Sequence, residues 1–165
     1  MSNDSPQSLI LIIESSPQPR LFALIVGIDH YDLDSFPPLR GAVADALAVK
    51  TYLEDSLKVP SGQIHTLLNK AATCAAITKA FLSLRDDERI EEGDPVLIYY
   101  AGHGAQISSG EVGSKPVQVL VPTDYCMRPE KYVPAIPDCT IGALVAQIAE
   151  KKGDNIVRLI FEFSR

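Results

Sequence analysis

His103 stands between two glycines in the stretch DPVLIYYAGHGAQISSG, Asp94 to Gly110, directly after an apolar run. A histidine titrates near neutral pH, so it can take up and return a proton during a reaction. Flanking glycines let the main chain approach a substrate closely. An N–H at Gly104, beside the histidine, is the kind of donor that holds an oxyanion. The chemical reading expects the imidazole bare on its loop. The plain reading of the same residues is a loop histidine between ordinary turn glycines.

Other residues compete for attention. The run GHGAQI has Gly102 and Gly104 but no third glycine and no helix clearly after it, so it is a poor dinucleotide fingerprint. No Walker-type phosphate loop is present. Asp29, His30 and Asp32 could be read as metal ligands, but a polar loop explains them better. His65 sits inside an apolar stretch and reads as structural. No metal and no cofactor is assigned.

The elements that must position His103 follow from periodicity. LFALIVGID, Leu21 to Asp29, is a short apolar run of the kind buried on both faces of a parallel sheet. A loop punctuated by Pro37, Pro38 and Gly41 follows. Ala46, Val49, Leu53 and Leu57 then share one helical face. Gln63 to Asn69 reads as a second strand. Thr73 can cap the next helix, with Ile77, Ala80, Phe81 and Leu84 inside. Pro95 to Ala101 is the third strand, strongly β-prone and uncharged.

Beyond it lies an excursion that reads as a hairpin or a short edge strand. Asp138 or Thr140 can cap a third helix, with Ile141, Leu144, Val145 and Ile148 inside and Gly153 at its end. NIVRLIFEF is a fourth strand. Strands alternating with helices give an α/β fold, a mostly parallel sheet with helices on both faces. In such sheets functional residues gather at the carboxyl ends of strands. The spacing puts Asp29 and His30, His103, and Glu162 and Ser164 at three such ends.

Composition bounds the rest. At 165 residues the chain favours one domain, with Met1–Arg20 a Ser-, Pro- and Gln-rich leader and 21–165 the domain proper. The leader's run SLILII, Ser8 to Ile13, is too short to cross a bilayer and reads as a strand or flap. A net charge of −6 disfavours nucleic acid and anionic membranes as partners. Three cysteines, Cys74, Cys126 and Cys139, with no CxxC pair, read as reduced thiols in the cytoplasm or nucleus.

Five blocks carry a resemblance. ALIVGIDHY, LRGAVADALAVKTYL, DPVLIYYAGHGAQ, VLVPTD and DNIVRLIF follow one another in the order seen in caspase-like cysteine peptidases, from about Leu21 to Phe161. The chain looks most like the metacaspase branch. The resemblance implies a cysteine–histidine dyad with His103 as the histidine, Gly104 supplying the oxyanion N–H, and Asp45 in the pocket for a basic side chain of a polypeptide substrate. Caspases that cut after aspartate carry a basic residue where this chain has Leu39, so cleavage after Arg or Lys is the implied preference. Asp45 also fits as a helix-start carboxylate favoured by the dipole.

The same resemblance implies an Asp-x-Cys-His-Ser-Gly segment after the last strand, where this sequence reads IFEFSR. Glu162 takes the acidic position, Ser164 the nucleophile position and Arg165 the following histidine. A hydroxyl there is a poor substitute for a thiol, which ionises far more readily. The expectation is a chain truncated before the catalytic cysteine, or a short inactive homologue that pairs with caspase-like partner chains through a sheet edge. Some metacaspases depend on calcium, but the acidic residues that the resemblance implies for it lie beyond Arg165, so no cofactor is assigned.

Overall fold

The computed structural model describes residues 18–33, 36–108 and 115–162, with Phe161 and Glu162 as backbone alone. Most of the leader, with its run Ser8 to Ile13, lies outside the described residues, as do Ser164 and Arg165. In chain order the strands are β1 (Phe22–Gly27), β2 (Ile64–Leu68), β3 (Val96–Gly102), β4 (Gly104–Ile107), β5 (Val117–Leu120), β6 (Ile136–Pro137) and β7 (Ile156–Glu162). The helices are α1 (Ala42–Thr51), α2 (Cys74–Asp86) and α3 (Asp138–Lys152).

One sheet runs β2-β1-β3-β7, with every pair parallel. This is the expected α/β fold, with helices on both faces. Alternation along the strands divides the core in two. Leu24, Val26, Ile98 and Tyr100 face α2 and α3, where Ile77, Phe81, Ile141 and Ile148 are buried. Ala23, Ile25, Tyr99 and Ala101 face α1, where Ala42 and Ala46 are buried. Both faces of β1 and β3 are thus withdrawn from water, which is why those strands read as unbroken apolar runs.

The cover is uneven. Among the described residues two helices lie on one face and α1 on the other. Beside α1 an apolar groove of about 450 Å³ remains, lined in part by Val49, Tyr52, Leu57, Leu97, Val157 and Leu159. Leu57, which the spacing assigns to the inner face of α1, is instead 40% exposed. The helix widens into a π turn at Tyr52–Ser56, and the extra residue per turn rotates Leu57 out of the face that Ala46 and Leu53 keep.

The excursion after β3 is an antiparallel sheet, β4-β5-β6, with Gly104 opposite Leu120 and Val119 opposite Pro137. It goes beyond the expected hairpin: the third short strand is added by Ile136, which pairs with β5 across a long connection. Thr73 caps α2 as expected, its hydroxyl accepting the Ala76 N–H at 3.1 Å. The expected caps of α3 do not form. Pro137 precedes the helix with no side-chain cap bond, and Asp138 is already its first residue. Proline's fixed φ starts the helix, and Asp138 acts there through the dipole.

Candidate active site

The carboxyl ends of the sheet form one rim. In register, Gly27 lies beside Leu68 and Ala101, and Gly102 beside Glu162. β3 ends at Gly102 and β4 opens at Gly104, so His103 is the corner where the chain leaves one sheet for the other. Its side chain is not bare, as the flanking glycines suggested, but only 4% exposed. The rings of Tyr31 and Phe36 lie 5.0 and 5.4 Å from it, centroid to centroid. The glycines leave room for neighbours to close in.

The imidazole is also held by hydrogen bonding. Its Nε2 lies 2.8 Å from the carbonyl oxygen of Pro37. A carbonyl only accepts, so Nε2 bears the hydrogen in the neutral ring and Nδ1 is the basic nitrogen. The His103 main chain is fixed as tightly. Its N–H donates to the Tyr31 hydroxyl at 2.7 Å. Its carbonyl accepts from the Val121 N–H at 3.0 Å and lies 2.9 Å from the Tyr100 hydroxyl. Tyr31 stays neutral through the physiological range: burial pushes its phenol up to about 12, hydrogen bonds with His103 and Tyr100 oppose this in part, and the charge of Asp29 adds to the rise.

The loop carrying Tyr31, Phe36 and Pro37 is tied down from several elements. Asn69, at the end of β2, adopts φ +45, a left-handed conformation that asparagine tolerates better than most residues. From there its side-chain oxygen accepts the N–H groups of Asp29 at 2.8 Å and His30 at 3.1 Å. Buried Thr123, just past β5, donates its hydroxyl to the His30 carbonyl at 2.9 Å, and its own carbonyl accepts from the Asp32 N–H at 2.8 Å. The block VLVPTD therefore has a mechanical role that its sequence did not advertise. Asp124, its last residue, accepts the Cys74 N–H at 2.8 Å and so caps α2 from across the fold.

Asp29 does the same for α1, accepting the Ala42 N–H at 2.9 Å. That bond sets α1 hard against the rim. Gly27 makes the approach possible, since a Cβ there would lie 2.7 Å from Ala46 Cβ and 2.9 Å from the Ala42 carbonyl oxygen. Asp45 is exposed in the first turn of α1. The Tyr99 phenol is pushed up by burial and then by the charge of Asp45, which puts that carboxylate near β3. Gly104 is buried opposite Leu120.

The remaining candidates separate. Asp29 is occupied as a helix cap, and Asp32 pairs with Lys131 at 3.4 Å. Among the described residues no three of His, Cys, Asp and Glu converge as a metal site would require. His65 is exposed on β2. Of the cysteines, Cys126 is buried and bridges to Val133, and Cys139 is exposed on α3. Cys74 opens α2, where burial and then Asp124 push its thiol up, away from easy ionisation. Sequence reasoning missed Tyr31, Pro37, Asn69 and Thr123. Only the ring content of HYDLDSFPP hinted at the cage.

No helix among the described residues is long and apolar enough to cross a membrane. No curated protein matches the chain. Among solved structures, protein GSU0716 from Geobacter sulfurreducens superposes with a TM-score of 0.63 at 21% identity, over 88% of this chain and 50% of that one, a likeness of fold. This chain thus spans half the length of that relative. The caspase domain matches residues 20–161, spanning β1 to β7 and the rim with His103. The chain belongs to the caspase domain family of peptidases.

Proposed function

We propose that this chain carries the histidine half of a cysteine–histidine endopeptidase centre of the metacaspase kind, acting on polypeptides after Arg or Lys, with the domain beginning at Leu21. The observation that carries the reading is the anchored imidazole at the sheet's rim: Nε2 is engaged by Pro37, and Glu162 lies in register beside Gly102. In the proposed reaction a cysteine gives its proton to Nδ1 of His103, and the thiolate attacks the scissile carbonyl carbon. Gly104 N–H holds the oxyanion. The imidazolium then protonates the departing amine as the C–N bond breaks, and water hydrolyses the thioester. Asp45 pairs with the basic side chain of the substrate.

The 165 residues offer no thiol for this role. Cys74 is a protonated cap-site thiol, Cys126 is buried and Cys139 belongs to α3. At the aligned position stands Ser164. On this reading the chain alone leaves Arg and Lys fluorogenic peptides uncut, and it resides in the cytoplasm, where its thiols stay reduced. The transcript beyond Arg165, read for a Cys-His-Ser-Gly segment, distinguishes a truncated peptidase from a short homologue.

The direct test installs the missing group. Ser164→Cys is alkylated with iodoacetamide across pH, and each cysteine is followed by peptide mass spectrometry. An introduced thiol that reacts well below the ordinary thiol range, and loses that reactivity with His103→Ala, supports the dyad. Reactivity indifferent to His103 overturns it. Binding of a short Arg peptide, lost in Asp45→Asn, tests the pocket. A second reading has this chain pair with an active caspase-like chain. It is favoured by β7, which among the described residues pairs only with β3. Co-purification with such a chain, lost when Leu159 is changed to Lys, tests it.

A further inference from the structure

Every polar group of the His103 main chain is met, and tyrosine hydroxyls meet most of the need. The N–H lies outside both ladders, because His103 is the corner between β3 and β4. It is satisfied by Tyr31 Oη at 2.7 Å. The same Tyr31 ring flanks the imidazole at 5.0 Å, so one side chain fixes both the backbone and the ring of the histidine. Tyr31 Oη is steadied in turn by Tyr100, with which it shares a hydrogen bond, and lies 3.4 Å from the Ile28 carbonyl.

Gly102 is part of the same arrangement. A Cβ there would meet Tyr100 Oη at 2.7 Å and Tyr31 Oη at 2.9 Å. The space a side chain would take is filled by the two hydroxyls. The first glycine of AGHG is therefore needed for the tyrosine pair rather than for an approaching substrate.

We propose that Tyr31 is a positioning residue for His103, holding the imidazole on the Pro37 carbonyl in the tautomer whose basic nitrogen is Nδ1. The role rests on the reading of His103 as the base. Without the hydroxyl, the buried His103 N–H loses its partner and the corner relaxes. The ring then drifts from Pro37, and the distinction between its nitrogens is lost.

The test compares Tyr31→Phe with the parent chain by nitrogen-15 NMR of the imidazole. The parent is expected to show two well-separated ring nitrogens, with hydrogen on Nε2. In Tyr31→Phe the two are expected to converge toward an averaged value, with the melting temperature lowered by a few degrees and the fold kept. In the Ser164→Cys background, the same change is expected to slow alkylation of the introduced thiol at neutral pH about tenfold, a one-unit loss of thiol activation.

A tautomer and alkylation rate both unmoved in Tyr31→Phe overturn the inference while leaving the dyad standing. Alkylation of Ser164→Cys that ignores His103 overturns the dyad itself, and the tautomer measurement then still decides whether Tyr31 orients the ring. Should Tyr31→Phe not fold, hydrogen exchange in the parent decides: a slowly exchanging His103 N–H supports the bond to Tyr31, and a rapidly exchanging one overturns it.

Discussion

The imidazole of His103 rests on the carbonyl oxygen of Pro37, 66 positions earlier in the chain, at 2.8 Å. The loop that delivers this carbonyl is stiffened by Pro38, whose ring restricts the residue before it to extended conformations. Pro38→Gly releases that restriction and enlarges the unfolded ensemble. A loss of about 0.4–1 kcal/mol is expected from the entropy alone, measured as a shift in urea midpoint at unchanged slope.

Gly27 is the point of contact between β1 and α1. Gly27→Ala forces its methyl against Ala46 and the Ala42 carbonyl, so α1 must move away from the rim. The expected cost is about 1–3 kcal/mol, as for other overpacked cores, read from chemical denaturation. Binding of a basic peptide through Asp45 should weaken in parallel, because α1 carries that carboxylate.

Asn69 holds two main-chain N–H groups from a left-handed backbone. Asn69→Ala removes both bonds and leaves alanine in a strained conformation. The expected loss is about 2–3 kcal/mol. The loop 29–37 should also lose protection from hydrogen exchange ahead of the strands.

The buried phenol of Tyr31 titrates only at about 12. Its folded value lies above the ordinary one near 10, so the folded state binds the proton more tightly than the unfolded chain. That contribution is complete below pH 10 and is lost as pH rises from 10 to 12, on the order of 2 kcal/mol. Tyrosinate absorbance should therefore lag until the fold opens for Tyr31 as well as for the buried Tyr99, and the lagging amplitude should shrink by one residue in Tyr31→Phe.

At the opposite end of the sheet, Asp94 receives Arg20 at 2.7 Å, and hydrogen bonding to that guanidinium holds its carboxyl below the usual range. A depressed carboxylate stabilises above its unfolded value near 4, and the gain is lost as pH falls through the lower folded value. Arg20→Ala should flatten the acid limb of the stability curve below pH 4. Because Arg20 is half exposed, the effect should be small and shrink in high salt.

The sequence was most readable where structure is local. Thr73 caps α2 because an N-cap bond spans only three residues, and the apolar runs of β1 and β3 follow from burial on both faces. Leu57 was misplaced because its direction depends on a π turn that no heptad-like spacing reveals. The cap of α3 was misassigned because proline at 137 already sets the entry. At the rim, His103 was visible by type alone, but its burial depends on Tyr31, Phe36 and Pro37, and the capping of α1 and α2 on Asp29 and Asp124. These are pairings between distant parts of the chain, which no short window of the sequence contains.

Among the described residues β7 hydrogen-bonds along one side, and its Val157, Arg158 and Leu159 side chains stand exposed. The molecule should therefore breathe from that border. Amide protons of Ile156 to Ile160 should be traded with solvent long before those of β1, which is zipped on both flanks. The strand that ends beside Gly102, one residue before His103, is thus stitched along a single seam among the described residues.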